Sequence, residues 1–141
     1  MPLTAEDLMT EDVVTIEEGA TLGDAAALLA EQHIRHLPVV RDRVLVGMLS
    51  DRDLRSLGPG TVDSFESFEA LRERLAEPVS SAMRSDVITV GRTTDVVEIV
   101  DLLIEEKVGA VPVVDETEGA LVGIVSYVDV LRAARDLFAE A

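Results

Sequence analysis

Eight residues within the first forty positions of this chain come back 74 positions later. Met9, Val13, Thr15, Leu28, Leu29, Pro38, Val39 and Val40 recur as Met83, Val87, Thr89, Leu102, Leu103, Pro112, Val113 and Val114. Further on the offset becomes 76, because Gly47-Met48-Leu49-Ser50-Asp51-Arg52-Asp53 matches Gly123-Ile124-Val125-Ser126-Tyr127-Val128-Asp129. A self-similarity of this length means one supersecondary unit written twice. Lone units much below 141 residues struggle to bury enough apolar surface, so the two copies are expected to fold as intimately packed halves. The two residues added between Val114 and Gly123 are expected to lengthen a hairpin turn.

Each repeat reads as the same β-α-β-β-α series, hence an α/β fold. Val13-Val14-Thr15-Ile16 and Val87-Ile88-Thr89-Val90 are β-branched runs that suit strands. Thr21 stands three residues before Asp24, and Asp95 three before Glu98, the pattern of a helix start. Apolar stripes follow at helical spacing: Leu22, Ala25, Ala26 and Leu29, then Val96, Ile99, Val100 and Leu103. Two strands come next, Leu37–Val40 and Val44–Leu49, around an Arg41-Asp42-Arg43 turn; Asp115–Gly119 is the turn of the second repeat. Pro38 and Pro112 imply an edge or strand-start position. Ser50 and Ser126 cap second helices, running to about Leu57 and Glu140. Between the repeats a Gly58–Ser64 break precedes a helix from Phe65 to Ala76 with Phe68, Leu71 and Leu75 on one face. The expected organisation is residues 1–60 as the first unit, 61–77 as a linker helix and 78–141 as the second unit.

Composition narrows the function. Hydrophobic residues make up 48% of the chain and aromatic ones 3%, so the core is built from Val, Leu, Ile, Ala and Met. No apolar run reaches the roughly 20 residues that cross a bilayer, and Met1–Asp7 lacks the pattern of a signal peptide, so a cytoplasmic protein is expected. The formal net charge of −16 opposes nucleic acid and anionic membranes as partners. Without cysteine there is no disulfide, thiolate site or Cys nucleophile to consider. His33 and His36 find no third His or Cys to complete a metal site, and Arg52 between Asp51 and Asp53 opposes a cation. Motifs of phosphate loops, nucleophile elbows and zinc helices are missing, and Lys107 is the only lysine, so no catalytic role is expected.

The doubled Ser-x-x-Asp admits two physical readings. In one, Ser50 and Ser126 are helix caps and Asp53 and Asp129 complete a capping box. In the other, the helix start and the serine hydroxyl hold a phosphate while Asp53 and Asp129 accept from a ribose diol. Positive charge gathers in the first repeat, where Arg35 and His36 precede Leu37-Pro38, and Arg52 and Arg55 flank Asp53. The second repeat has Gly109 and Ala110 in place of the first pair, and Tyr127 and Val128 in place of Asp51 and Arg52. Two unequal sites are therefore expected, with His36 adding affinity for phosphate as it protonates below a pH near its unperturbed 6.5.

Two units of the form Met-x₃-Val-x-Thr, amphipathic helix, Pro-Val-Val and Gly-h-h-Ser-x-x-Asp resemble the tandem CBS domain pair, named for cystathionine beta-synthase and found in stand-alone CBS domain-containing proteins. That resemblance covers about residues 7 to 135. It implies two units packed sheet to sheet about a pseudo-two-fold axis, and a regulatory module sensing AMP, ADP or ATP through a change of shape. The resemblance assigns Ser50, Asp53, Ser126 and Asp129 to phosphate and ribose, with Arg52 beside them. It matches Arg35 and His36 to a basic pair that reaches phosphates in the gamma subunit of AMP-activated protein kinase. An adenine slot would be lined by Val13, Thr15, Ile34 and Pro38, and by Val87, Thr89, Val108 and Pro112. Family sites draw on both repeats, so whether Arg35 and His36 serve Asp53 or Asp129 stays open. The resemblance also implies a homodimer through helices, with Leu131, Ala134 and Leu137 near the carboxyl end on the face. A ligand-free dimerisation or interaction module and an S-adenosylmethionine sensor are the alternatives.

Overall fold

In the computed structural model, residues 3–56 and 64–140 are described. Met1-Pro2, the helix end at Leu57 and most of the Gly58–Ser64 break lie outside them. In chain order the elements are α1 (Ala5–Leu8), β1 (Ile16–Glu17), α2 (Leu22–Gln32), β2 (His36–Arg41), β3 (Val44–Ser50), α3 (Asp51–Arg55), α4 (Phe65–Leu75), a 3₁₀ turn at Val79–Ser81, α5 (Val96–Glu105), β4 (Ala110–Val114), β5 (Leu121–Ser126) and α6 (Tyr127–Glu140). This mixed α/β chain gathers into two compact units with one small sheet each.

The first, called here the Asp53 unit, comprises Val14–Asp42 and Val46–Val87. Its sheet runs in the order β1-β2-β3, with β1 parallel to β2 through Ile16 opposite Val39 and Glu17 opposite Val40. Thr21 starts α2 as a full capping box: Asp24 N donates to Thr21 Oγ1 at 3.1 Å and Thr21 N donates to Asp24 Oδ2 at 3.2 Å. The stripe that follows buries Leu22, Ala25 and Leu29 against Ile16, Leu37, Val39, Leu49 and Val79. From α4, Leu75 reaches this core, but Phe68 is half exposed, so the expected apolar face of the linker helix is covered only at its carboxyl end.

The Asp129 unit takes the described residues up to Val13, Arg43–Leu45 and those from Ile88 on. Its hairpin pairs β4 with β5 antiparallel, Pro112 opposite Ile124, with a register shift at Val113/Val114. Ile99 of α5 is fully buried among Ala5, Val90, Val111, Val113 and Val125. The two added residues do enlarge the β4–β5 turn, where Gly119 supplies the positive φ of 74°. In the first repeat the turn needs only Asp42 and Arg43, both at positive φ (49° and 72°), as a two-residue hairpin loop of right-handed strands requires.

The expected first strands are shorter than their β-branched runs. Only Ile16–Glu17 forms β1, and of Val87–Val90 only Val90 pairs, through a parallel bridge to Val113. The chain passes from one compact unit to the other between Val13 and Val14 and again between Val87 and Ile88, positions related by the offset of 74. Each run is thus divided after its first residue. On the near side of the cut, Thr10 exchanges backbone bonds with Ile124 of β5 (2.9 and 3.1 Å) and Arg84 does the same with Met48 of β3 (both 2.9 Å). Pro38, too, sits differently from expectation. β2 is the central strand of its sheet, tolerating Pro38 because the parallel ladder begins only at Val39. Pro112 lies within β4, where its carbonyl accepts from Val90 N at 3.0 Å.

These crossing segments explain the glycine of Gly-h-h-Ser. A Cβ on Gly47 would lie 2.5 Å from Met83 Sδ, and one on Gly123 would lie 2.5 Å from Met9 Sδ. The repeated methionine and the repeated glycine are two halves of one contact, made each time between one repeat's glycine and the other repeat's methionine.

Candidate functional site

Both Ser-x-x-Asp turns close as capping boxes. Ser50 N donates to Asp53 Oδ2 at 2.9 Å while Asp53 N donates to Ser50 Oγ at 3.2 Å. At the second turn Ser126 N donates to Asp129 Oδ2 at 2.8 Å, Asp129 N donates to Ser126 Oγ at 3.3 Å, and Ser126 Oγ lies 3.1 Å from the same Oδ2. The residue after each serine is tied to the strand-entry segment: Asp51 N donates to Arg35 O and Tyr127 N to Gly109 O, both at 3.0 Å. These bonds place Arg35 and His36 beside Ser50 and Asp53 in one unit, and Gly109 and Ala110 beside Ser126 and Asp129 in the other.

Each cap uses Oδ2 and leaves Oδ1 toward an arginine. Arg84 Nε stands 3.4 Å from Asp53 Oδ1, and Arg132 Nη1 stands 3.8 Å from Asp129 Oδ1. The aspartate side chains are 14% and 12% exposed, the arginines 58% and 67%, so sequestered acceptors meet cations that reach in from solvent. Arg55 is spent on Asp51 at 3.8 Å. Arg35 and Arg52 are exposed and make no ion pair among the described residues. Neither arginine beside the carboxylates belongs to the basic set expected from sequence. Arg132 has a local signal, three residues past Asp129 on one helix. For Arg84 the sequence offers none, because it reaches Asp53 through the long-range pairing with Met48.

Burial moves the His36 imidazole below its ordinary value of 6.5, helped by the charge of Arg35 and opposed by Asp51 and Asp53. The expectation of protonation near 6.5 is corrected accordingly: in the free chain it needs a lower pH, because desolvation outweighs two neighbouring carboxylates.

The residues assigned to an adenine slot are divided between the units. Thr15, Ile34, Pro38 and Val87 belong to the Asp53 unit; Val13, Thr89, Val108 and Pro112 belong to the Asp129 unit. Pro38 and Pro112 are fully buried, Ile34 and Val108 pack against their cores, and Thr89 is exposed. Each set combines both repeats, since Val87 sits with first-repeat residues and Val13 with second-repeat ones. Among the described residues no three His, Asp or Glu side chains gather as a metal site, and no helix is long and apolar enough to cross a membrane.

Comparison with known proteins points the same way as this geometry. The family model described as CBS domain matches residues 5–60 and 79–136. A CBS domain-containing protein of Dictyostelium discoideum is 33% identical over 93% of the chain and 90% of its own length. An uncharacterized protein of Methanocaldococcus jannaschii is 30% identical over 90% of the chain, which spans only 45% of that protein. Among solved structures, the CBS-pair protein CBSX2 from Arabidopsis thaliana superimposes with a TM-score of 0.84 at 31% identity over 100% of both chains. A second structure, of CBSX2 in complex with AMP, gives 0.79 at 31% identity over 95% and 97%.

Proposed function

Since the chain belongs to the CBS domain family, with both repeats matched, we propose that it is a non-catalytic regulatory module that binds an adenosine-containing ligand, AMP, ADP or ATP, and passes occupancy to a partner by a change of shape. One observation carries the reading: each Ser-x-x-Asp turn keeps a carboxylate oxygen outside its cap bonds, with an arginine beside it. A ribose hydroxyl needs the first of these and a phosphate the second. The AMP held by CBSX2, 31% identical to this chain, supports the same ligand class. Ser50, Asp53, Ser126 and Asp129 are the residues we assign to ribose and phosphate. We further assign Arg35, His36 and Arg52 to phosphate at the Asp53 turn, and to the walls of a base slot Thr15, Ile34, Pro38 and Val87 in the Asp53 unit and Val13, Thr89, Val108 and Pro112 in the Asp129 unit. A homodimer through helices fits the exposure of Ile104, Leu131, Leu137 and Phe138 on α5 and α6.

A ligand-free interaction module is the second reading, favoured by the completeness of the two capping boxes. Calorimetric titration with AMP, adenosine and S-adenosylmethionine separates the two. AMP binding that weakens about tenfold or more in Asp53→Ala or Asp129→Ala supports the sensor, since a hydrogen bond to a charged group contributes about 1.5–3 kcal/mol. Absence of binding by all three returns the turns to helix caps.

A further inference from the structure

Building on that adenosine-ligand reading, we propose that Arg84 makes the Asp53 turn selective for ligands with an anionic group, by occupying the Asp53 carboxylate until a ligand replaces it. Asp53 has one oxygen committed, Oδ2 accepting from Ser50 N at 2.9 Å. The other, Oδ1, is 3.4 Å from Arg84 Nε. Oδ1 is the oxygen outside the cap, and a ribose hydroxyl that donates to it competes with the guanidinium. The backbone of Arg84 does not yield, because its N–H and carbonyl are both bonded to Met48 at 2.9 Å. Its side chain does, being 58% exposed.

The consequence is a coupled exchange. A ligand hydroxyl on Oδ1 leaves the guanidinium without its carboxylate, and the ligand itself decides whether that loss is made good. A nucleotide supplies phosphate oxygens, which suit the planar fork of arginine. Neutral adenosine supplies nothing, and a sulfonium brings a like charge. At the Asp129 turn the guanidinium stands further off and is placed differently. Thr10 stands where Arg84 would be, and the arginine beside Asp129 comes from one turn further along the same helix, at 3.8 Å.

The test is calorimetric titration of the full chain with AMP and adenosine in an Asp129→Asn background, so that only the Asp53 turn is read. Arg84→Ala is expected to weaken AMP about tenfold or more while adenosine binds equally or more tightly. Arg84→Lys should recover much of the preference, since the charge returns. An AMP-to-adenosine ratio unchanged in Arg84→Ala, or two affinities falling in parallel with the melting temperature, overturns the role of Arg84. If in addition Asp53→Asn leaves AMP binding intact, the adenosine-ligand reading of this turn fails as well; if Asp53→Asn abolishes binding, only the Arg84 assignment falls.

Discussion

The turns at Ser50 and Ser126 make the same cap bonds in surroundings that differ in charge. Around Asp53 stand Arg35, His36, Arg52 and Arg84; around Asp129 the counterparts are Gly109, Ala110, Val128 and, at the position of Arg84, Thr10. The helices differ as well, because Ser50 opens α3 and Ser126 opens the 14 residues of α6. Duplication therefore kept what folding needs, the cap and the glycine–methionine contact, while the side chains around the two turns diverged. The backbone bonds follow the repeat, and the charge around each turn comes from side chains that the repeat does not constrain.

The units can be set against each other first through their cores, where like-for-like substitutions are available. Leu29 and Leu103 occupy the same repeat position, yet Leu29 is buried in its core and Leu103 only partly. Leu29→Ala is expected to cost about 2–5 kcal/mol, the range for a buried leucine, and Leu103→Ala about half of that. Urea unfolding of the two variants checks the order; equal losses would mean that the cores are equivalent despite their burial.

A smaller and sharper contrast lies at the paired glycines. A Cβ on Gly47 meets Met83 Sδ at 2.5 Å and the carbonyl of Arg84 at 2.9 Å, whereas the three atoms nearest to one on Gly123 all belong to the Met9 side chain. A flexible thioether can move aside and a hydrogen-bonded carbonyl cannot. Gly47→Ala should cost about 1–3 kcal/mol, and Gly123→Ala less. Adding Met9→Ala should relieve Gly123→Ala, while Met83→Ala should relieve Gly47→Ala only in part. Full rescue at both sites, read from chemical denaturation, would show the two contacts to be alike.

Which features were legible in the sequence follows from the range of the interactions behind them. α2, α5 and α6 were foreseen because caps and apolar stripes are local, and the enlarged β4–β5 turn because an insertion in a repeat has one place to go. The short first strands were not, since a β-branched run states a preference while pairing depends on partners far along the chain. Thr10 and Arg84 join strands that begin more than thirty residues away, and no local pattern announces it. For the same reason Ser50 and Asp53 could be named as candidates, yet Arg84 beside them could not. Whether Arg35 and His36 lie near Asp53 was open in the sequence; the bond from Asp51 N to Arg35 O puts their backbone beside that turn.

His36 offers the smallest of these contrasts, and one with no counterpart in the other unit, where Ala110 holds the position. Burial lowers its pKa from 6.5, Arg35 adds to the effect, and Asp51 and Asp53 act against it. Between the lowered value and 6.5, the unfolded chain binds a proton that the folded chain refuses, so stability rises with pH across that window. Above 6.5 the imidazole is neutral in both states and contributes no slope. Below it stability declines until the folded chain also takes up the proton. His36→Gln removes this slope and should leave the stability above 6.5 nearly unchanged, apart from the packing of a different side chain. Thermal unfolding of both proteins just above 6.5 and about one unit below it reads the difference. The expected result is that acidification lowers the melting temperature of the His36 protein more than that of the glutamine variant. Parallel shifts would mean that Asp51 and Asp53 offset burial and leave the ring's affinity for the proton equal in the folded and unfolded chains, and a larger fall in the variant would mean that they raise it above that of the unfolded chain.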